Sequence, residues 1–306
     1  MKLNQLLLFS IIISLISFNS FTQELNDYFL EANLNLDSSD YSEAIENYTK
    51  VIEIDSTYVI AYYYRGLSKQ RSKDYPGAIE DFKKVIELNP NFKRAYSRKG
   101  NIKNEIGNFS EAEVIFSKLL EVDPYDETAY LGRANSRVKL GKNTEALNDY
   151  NKVLEIYPEH KLVYYGRAHA KIALGDNKGA LLDLNKAIEF DPLNTGNYIN
   201  RGTLKSILGN EKEALKDFSL AIEIDSSLSI AYFNRANSKN RLRDNLGAIE
   251  DYTKALSIDP KYSNAYRNRG LSKIRLGKYE EGCLDLKNTA KLGNENVSKL
   301  IEKYCR

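Results

Sequence analysis

The 306-residue sequence has no tryptophan, one methionine, two histidines, two cysteines and six prolines. The two histidines, His160 and His169, are not spaced i, i+4 and no carboxylate–histidine cluster surrounds them, so the pattern carries no metal site. Charge of one sign is also lacking. With 44 basic against 42 acidic residues the net charge is +2, which leaves no electrostatic footprint for nucleic acid or an anionic membrane. No G-x-S-x-G, Walker or glycine-rich phosphate loop occurs. Acidic residues are plentiful but recur periodically, so no unique carboxylate pair marks a catalytic centre. The expectation is a chain with no catalytic residues, no cofactor and no nucleic-acid partner.

Long apolar runs are scarce except at the start. Lys2 is the only charge before Glu24, and Leu6 to Phe18 is apolar apart from Ser10, Ser14 and Ser17. A basic start, a short apolar run and then small polar residues is the layout of a secretory signal peptide over residues 1–22, cleaved near Thr22–Gln23. The run falls short of the roughly 20 residues that a bilayer span needs. The expectation is an exported protein, periplasmic or secreted, with no membrane span after cleavage.

What is present is repetition. The phrase AYYYRG at 61–66 returns as AYSRKG, AYLGRA, VYYGRA, NYINRG, AYFNRA and AYRNRG. Its tyrosines, Tyr62, Tyr96, Tyr130, Tyr164, Tyr198, Tyr232 and Tyr266, stand 34 residues apart, and one step back lands on Tyr28. Eight units therefore tile residues 25–296 without insertion. Four residues after each tyrosine comes Gly or Ala (Ala32 to Gly270), and sixteen after it another small residue (Ala44 to Gly282). Such residues let two antiparallel helices cross closely. Twenty after it stands a bulky Tyr, Phe or Leu (Tyr48 to Leu286). Pro90, Pro124, Pro158, Pro192 and Pro260 share one column and end the apolar stripe before them, while Gly107, Gly141, Gly175, Gly209 and Gly277 mark a turn inside the unit. Apolar residues at i, i+3, i+4 and i+7 between these marks predict helix after helix and no strand.

These columns resemble the tetratricopeptide repeat (TPR) family. The resemblance implies an all-α, right-handed superhelical α-solenoid of helix–turn–helix repeats at 25–58, 59–92, 93–126, 127–160, 161–194, 195–228, 229–262 and 263–296, with residues 297–306 as a capping helix. It also implies a concave groove lined by the first helices, where ligands meet the second, fifth, sixth and ninth columns. In the sixth column stand Asn200, Asn234 and Asn268; the ninth adds Asn33, Asn101, Asn135 and Asn237. Asparagine is a poor helix former, and its amide can donate to and accept from an extended peptide backbone. This is similar to the asparagine ladders of some superhelical repeat proteins, with Tyr165 and Phe233 as apolar contacts. Arg94 and Arg98 match two basic residues of the family's carboxylate clamp. Phe29 and Tyr64 stand where the clamp has lysine and asparagine, so a local anion site is expected in place of a full clamp.

Two features fall outside the groove. A basic column (Arg65, Lys99, Arg133, Arg167, Arg201, Arg235, Arg269) and an acidic one (Asp81, Asp149, Asp183, Asp217, Asp251, Asp285) should pair as a structural ladder of exposed ion pairs. Cys283 occupies an Ile/Leu column and Cys305 the capping segment; in an exported chain they can form a disulfide, and otherwise are a buried apolar residue and a tail thiol. The functional expectation is a non-catalytic interaction scaffold of the cell envelope with a protein or peptide partner. The alternative is a regulatory or structural TPR spacer of a larger envelope assembly or transferase complex.

Overall fold

A computed structural model describes residues 21–305. The expected signal segment lies outside the described residues up to position 20; Phe21 and Thr22 already stand at the start of helix α1, 21–37. The second helices of the repeats are α2 (Tyr41–Ile54), α4 (Tyr75–Leu88), α6 (Phe109–Val122), α8 (Asn143–Ile156), α10 (Asn177–Phe190), α12 (Glu211–Ile224), α14 (Asn245–Ile258) and α16 (Tyr279–Lys291). The first helices continue as α3 (Val59–Arg71), α5 (Lys93–Glu105), α7 (Glu127–Lys139), α9 (Lys161–Ala173), α11 (Thr195–Ile207), α13 (Ser229–Arg241) and α15 (Ser263–Arg275). A 3-10 turn at Glu295–Val297 leads into α17 (Ser298–Tyr304). Among the described residues there is no strand, and no helix is long and apolar enough to cross a membrane.

The punctuation has physical causes. Asp40, Asp74, Asp176 and Asp244 cap second helices by accepting the amide N–H three residues on. Asp55, Asp123, Asp225 and Asp259 end them, each accepting the amide N–H two residues later as the chain turns into the next repeat. Within repeats the turn needs a left-handed residue, supplied by Gly107, Gly141, Gly175, Gly209 and Gly277, but by Ser39, Lys73 and Arg243 in the other three.

The chain divides into two compact units, one ending at Pro158 and one beginning at Glu159. In the first, Ala44, Tyr48, Ala78, Phe82, Ala112 and Phe116 are fully buried. The Phe116 ring fills the space beside Gly100 and Gly132: a Cβ on Gly100 would lie 2.7 Å from it, and one on Gly132 closer still. In the second, Leu184, Phe218, Tyr252 and Leu286 play the same part. There Val297 is buried against Ile274 and Leu286, and Cys283 is bonded to Cys305, tying α17 to α16.

Candidate functional site

The basic column is the most regular feature of the molecule. Arg201 donates Nε–H to Asp217 Oδ2 at 3.0 Å and Nη2–H to Oδ1 at 2.6 Å, and its Nη1–H reaches back to Asn185 Oδ1 of the preceding repeat at 2.8 Å. Its guanidinium lies 5.7 Å over the Tyr198 ring, and Lys205 Nζ adds a contact to Asp217 at 2.9 Å. Arg65, Arg133, Arg235 and Arg269 repeat this arrangement with Asp81, Asp149, Asp251 and Asp285, reaching back to Thr49, Ser117, Ser219 and Thr253. Arg167 holds Asp183 in the same two-pronged way. The expected ladder is therefore present, but its carboxylates are buried: Asp217 is 1% exposed. The sequence expectation of exposed pairs needs that correction, because the first and second helices of a repeat cross so closely that the aspartates lie against the small-residue contact: a Cβ on Gly66 would lie 3.2 Å from Asp81 Cβ, and one on Gly270 3.1 Å from Asp285 Cβ. With their donors engaged, these guanidinium groups are structural.

Repeat three breaks the pattern. Ile115 takes the place of the aspartate, and Lys99 that of the arginine. Burial, then the neighbouring Lys103 and Lys83, hold the Lys99 ammonium's pKa below the usual lysine value.

The asparagines divide into two kinds. In the ninth column Asn33, Asn135 and Asn237 accept the phenol O–H of Tyr48, Tyr150 and Tyr252 at 2.7, 2.7 and 2.6 Å. These are the three repeats with tyrosine in the bulky column, so the amides serve buried phenols. Asn101, opposite Phe116 in its repeat, is exposed. In the sixth column Asn200 donates to Gly196 O at 2.9 Å and to the Tyr165 hydroxyl at 3.1 Å, and Asn268 donates to Asn237 Oδ1 at 2.9 Å. Asn234 is half-buried beside Thr203, Phe218 and Asn237, around a small cavity of about 70 Å³. The aromatic candidates differ too. Tyr165 is 39% exposed, whereas the Phe233 ring packs 4.6 Å from Tyr262 and 5.8 Å from Tyr252. Arg94 and Arg98 are exposed on α5, with no carboxylate within ion-pair distance among the described residues.

First helices of neighbouring repeats also meet directly, α5 with α7, α11 with α13 and α13 with α15. Between α13 and α15, with the start of α14 below, lies an open recess of about 820 Å³. Arg241, Arg243, Arg267 and Arg275 line it with Asn237, Asn240, Asn245 and Asn268, and among the described residues no acidic one does. The column reading missed three of these arginines because Arg241, Arg243 and Arg275 stand at a helix end and a turn. Arg267 left a signal: its column otherwise reads Phe29, Tyr63, Ser97, Leu131, Tyr165, Ile199 and Phe233.

An array of antiparallel helix pairs with a period of 34 residues and small-residue crossings defines a helical repeat protein. Tetratricopeptide repeat models match residues 59–92, 93–126, 131–195, 196–228 and 230–262, and a TPR repeat model matches residues 32–72; the chain belongs to the tetratricopeptide repeat family. No curated protein matches the sequence. Among solved structures it is similar to a tetratricopeptide repeat protein from Parabacteroides merdae, at 24% identity and TM-score 0.63 over 81% of this chain and 99% of that one. The Cut9–Hcn1 hetero-tetramer of the APC/C aligns at 16% identity and TM-score 0.61, over 91% of this chain and 55% of that one. YrrB, described as a TPR protein with an unusual peptide-binding site, aligns at 27% identity and TM-score 0.51, over 60% of this chain and 95% of that one.

Proposed function

We propose that the chain is a non-catalytic interaction scaffold that takes an extended segment of a partner protein along its first helices, in the cell envelope after export. The observation that carries this reading is the division of labour among polar residues. Those that repeat are engaged in the arginine ladder and the tyrosine–asparagine pairs, whereas Arg243, Arg267 and Arg275, which belong to neither, face an open recess. YrrB, similar in fold, is described by its peptide-binding site. Export is supported by Lys2 followed by Leu6–Phe18, and by the Cys283–Cys305 bond, which suits an oxidising compartment.

The test is a pull-down from the native envelope fraction followed by calorimetric titration of the captured partner. Asn234→Ala should weaken binding by about 0.5–1.5 kcal/mol, one amide hydrogen bond's net contribution, without lowering stability. A partner whose affinity is unmoved by Asn234→Ala and by exposed changes at Arg94 and Arg98 would favour the spacer reading. N-terminal sequencing of the native protein should begin near Gln23; an intact Met1 in a cytosolic fraction would remove the export proposal.

A further inference from the structure

We propose that the recess between α13 and α15 holds an acidic segment of a partner polypeptide, its carboxylates paired with Arg267, Arg275 and Arg243 and a backbone N–H donated to Asn245 Oδ1. The inference rests on the scaffold reading and deepens it by naming the partner's chemistry.

Three observations converge. The first is the company the arginines keep. Of the eight described arginines outside the ladder (Arg71, Arg94, Arg98, Arg137, Arg241, Arg243, Arg267 and Arg275), four line this one recess. Arg241 is held by Glu211 of α12 at 3.0 Å and by Ser206. Arg267 has only a long contact to Asn268 Oδ1 at 3.4 Å, and Arg243 and Arg275 meet no carboxylate within ion-pair distance among the described residues. Arg241 and Arg275 stand in the last turns of α13 and α15, where the helix dipole favours cations. That explanation does not reach Arg267, near the start of α15, or Arg243, in the turn before α14. Arg243, Arg267 and Arg275, gathered with no carboxylate in ion-pair distance among the described residues, repel one another, and a guanidinium fork is matched to a bidentate carboxylate or phosphate oxygen pair.

The second observation is a buried acceptor. Asn245 Oδ1, in the lining, is buried without a hydrogen-bond partner. A buried acceptor left unmade costs about 1–3 kcal/mol, so it calls for a donor. A carboxylate or sulfate ion offers none; a peptide backbone offers an N–H at nearly every residue. The third is size and surface. At about 820 Å³ the recess exceeds any single oxyanion. It presents no open aromatic face on which a nucleobase could stack, since Tyr252 is fully buried and its hydroxyl is bonded to Asn237 and Asn240. Together these select a polyanion that also carries N–H donors, which is an acidic peptide.

The experiment uses the full chain and fluorescence anisotropy with a short labelled peptide of alternating glutamate and glycine, its glutamine counterpart and a short single-stranded RNA. The glutamate peptide should bind at least about tenfold tighter than the glutamine peptide, with the advantage shrinking as salt rises. Arg267→Ala/Arg275→Ala should abolish that advantage, Asn245→Ala should weaken glutamate-peptide binding severalfold, and Lys254→Ala/Lys287→Ala, on the exposed faces of α14 and α16, should leave it unchanged. Thermal midpoints of the variants equal to wild type within a few degrees establish that the fold is intact. Equal binding of the two peptides, or an Arg267→Ala/Arg275→Ala variant that holds the glutamate peptide as wild type does, overturns the proposal. RNA binding tighter than the glutamate peptide overturns it in favour of nucleic acid. A captured partner that depends on Asn234 but binds the double arginine variant normally would overturn this assignment and leave the scaffold reading standing.

Discussion

A single amide illustrates how position in the repeat separates two roles for one residue type. Asn135 and Asn101 occupy the same column, yet Asn135 accepts the O–H of Tyr150, which is 1% exposed, and Asn101 is exposed opposite a phenylalanine. Asn135→Ala strands a buried phenol and should lower stability by about 1–3 kcal/mol, while Asn101→Ala should change it by less than about 0.5 kcal/mol. Urea midpoints of the two variants decide the matter, and equal values would refute the assignment. This pairing was legible in principle: asparagine in the ninth column meets tyrosine in the bulky column at Asn33/Tyr48, Asn135/Tyr150 and Asn237/Tyr252. Reading single columns hid it, because the correlation spans fifteen residues and joins two helices. Buried phenols also set a pH limit. Burial pushes Tyr252 and Tyr262 up to about 12, from an ordinary value near 10. Their phenols stay protonated in the folded chain while the unfolded chain releases the proton, so their contribution is complete below pH 10 and is lost as pH rises towards 12. Urea midpoints should therefore fall steadily above about pH 10; a flat profile to pH 11.5 would contradict the burial assigned to these rings.

At the scale of the element, the arginine–aspartate contact joins the two helices of a repeat beside their small-residue crossing. The 34-residue period, both helices of each repeat and the pairing of the two columns were open to sequence reading, because each depends on residues that recur. Burial of the aspartates was not open to it, since it depends on how closely the two helices of a repeat cross. The third repeat supplies an internal comparison. Arg201→Met removes both prongs from buried Asp217 and should cost about 1–3 kcal/mol, with Lys205 left as partial compensation. Lys99→Met removes a half-buried ammonium that has Lys103 and Lys83 for neighbours and no aspartate in its column, and should be neutral or stabilising. Thermal midpoints falling by the same amount in both variants would show that the ladder does not act through its carboxylates.

At the scale of the whole molecule, the second unit ends in a staple. The Cys283–Cys305 bond closes a loop over a sequence separation of 22 residues. In the chain-entropy account its reduction should lower the stability of that unit by about 3 kcal/mol, seen as an earlier urea transition in the presence of dithiothreitol that Cys283→Ala/Cys305→Ala reproduces. An unchanged transition would mean that α17 holds its place by the contacts of Val297, Leu300 and Ile301 alone. The recess of the last two repeats was the least legible feature. Arginines from a helix end, a turn and an aberrant column meet only after folding, and Arg267 alone stood out from its column.

The central claim is that repeated polar residues hold the stack while those exposed along the first helices bind a partner. Amide hydrogen exchange of the full chain, with and without the captured partner, tests it most directly. The account predicts that binding slows exchange in α11, α13 and α15 and leaves the exposed faces of α12, α14 and α16 unchanged. Protection confined to α12, α14 and α16 would contradict it.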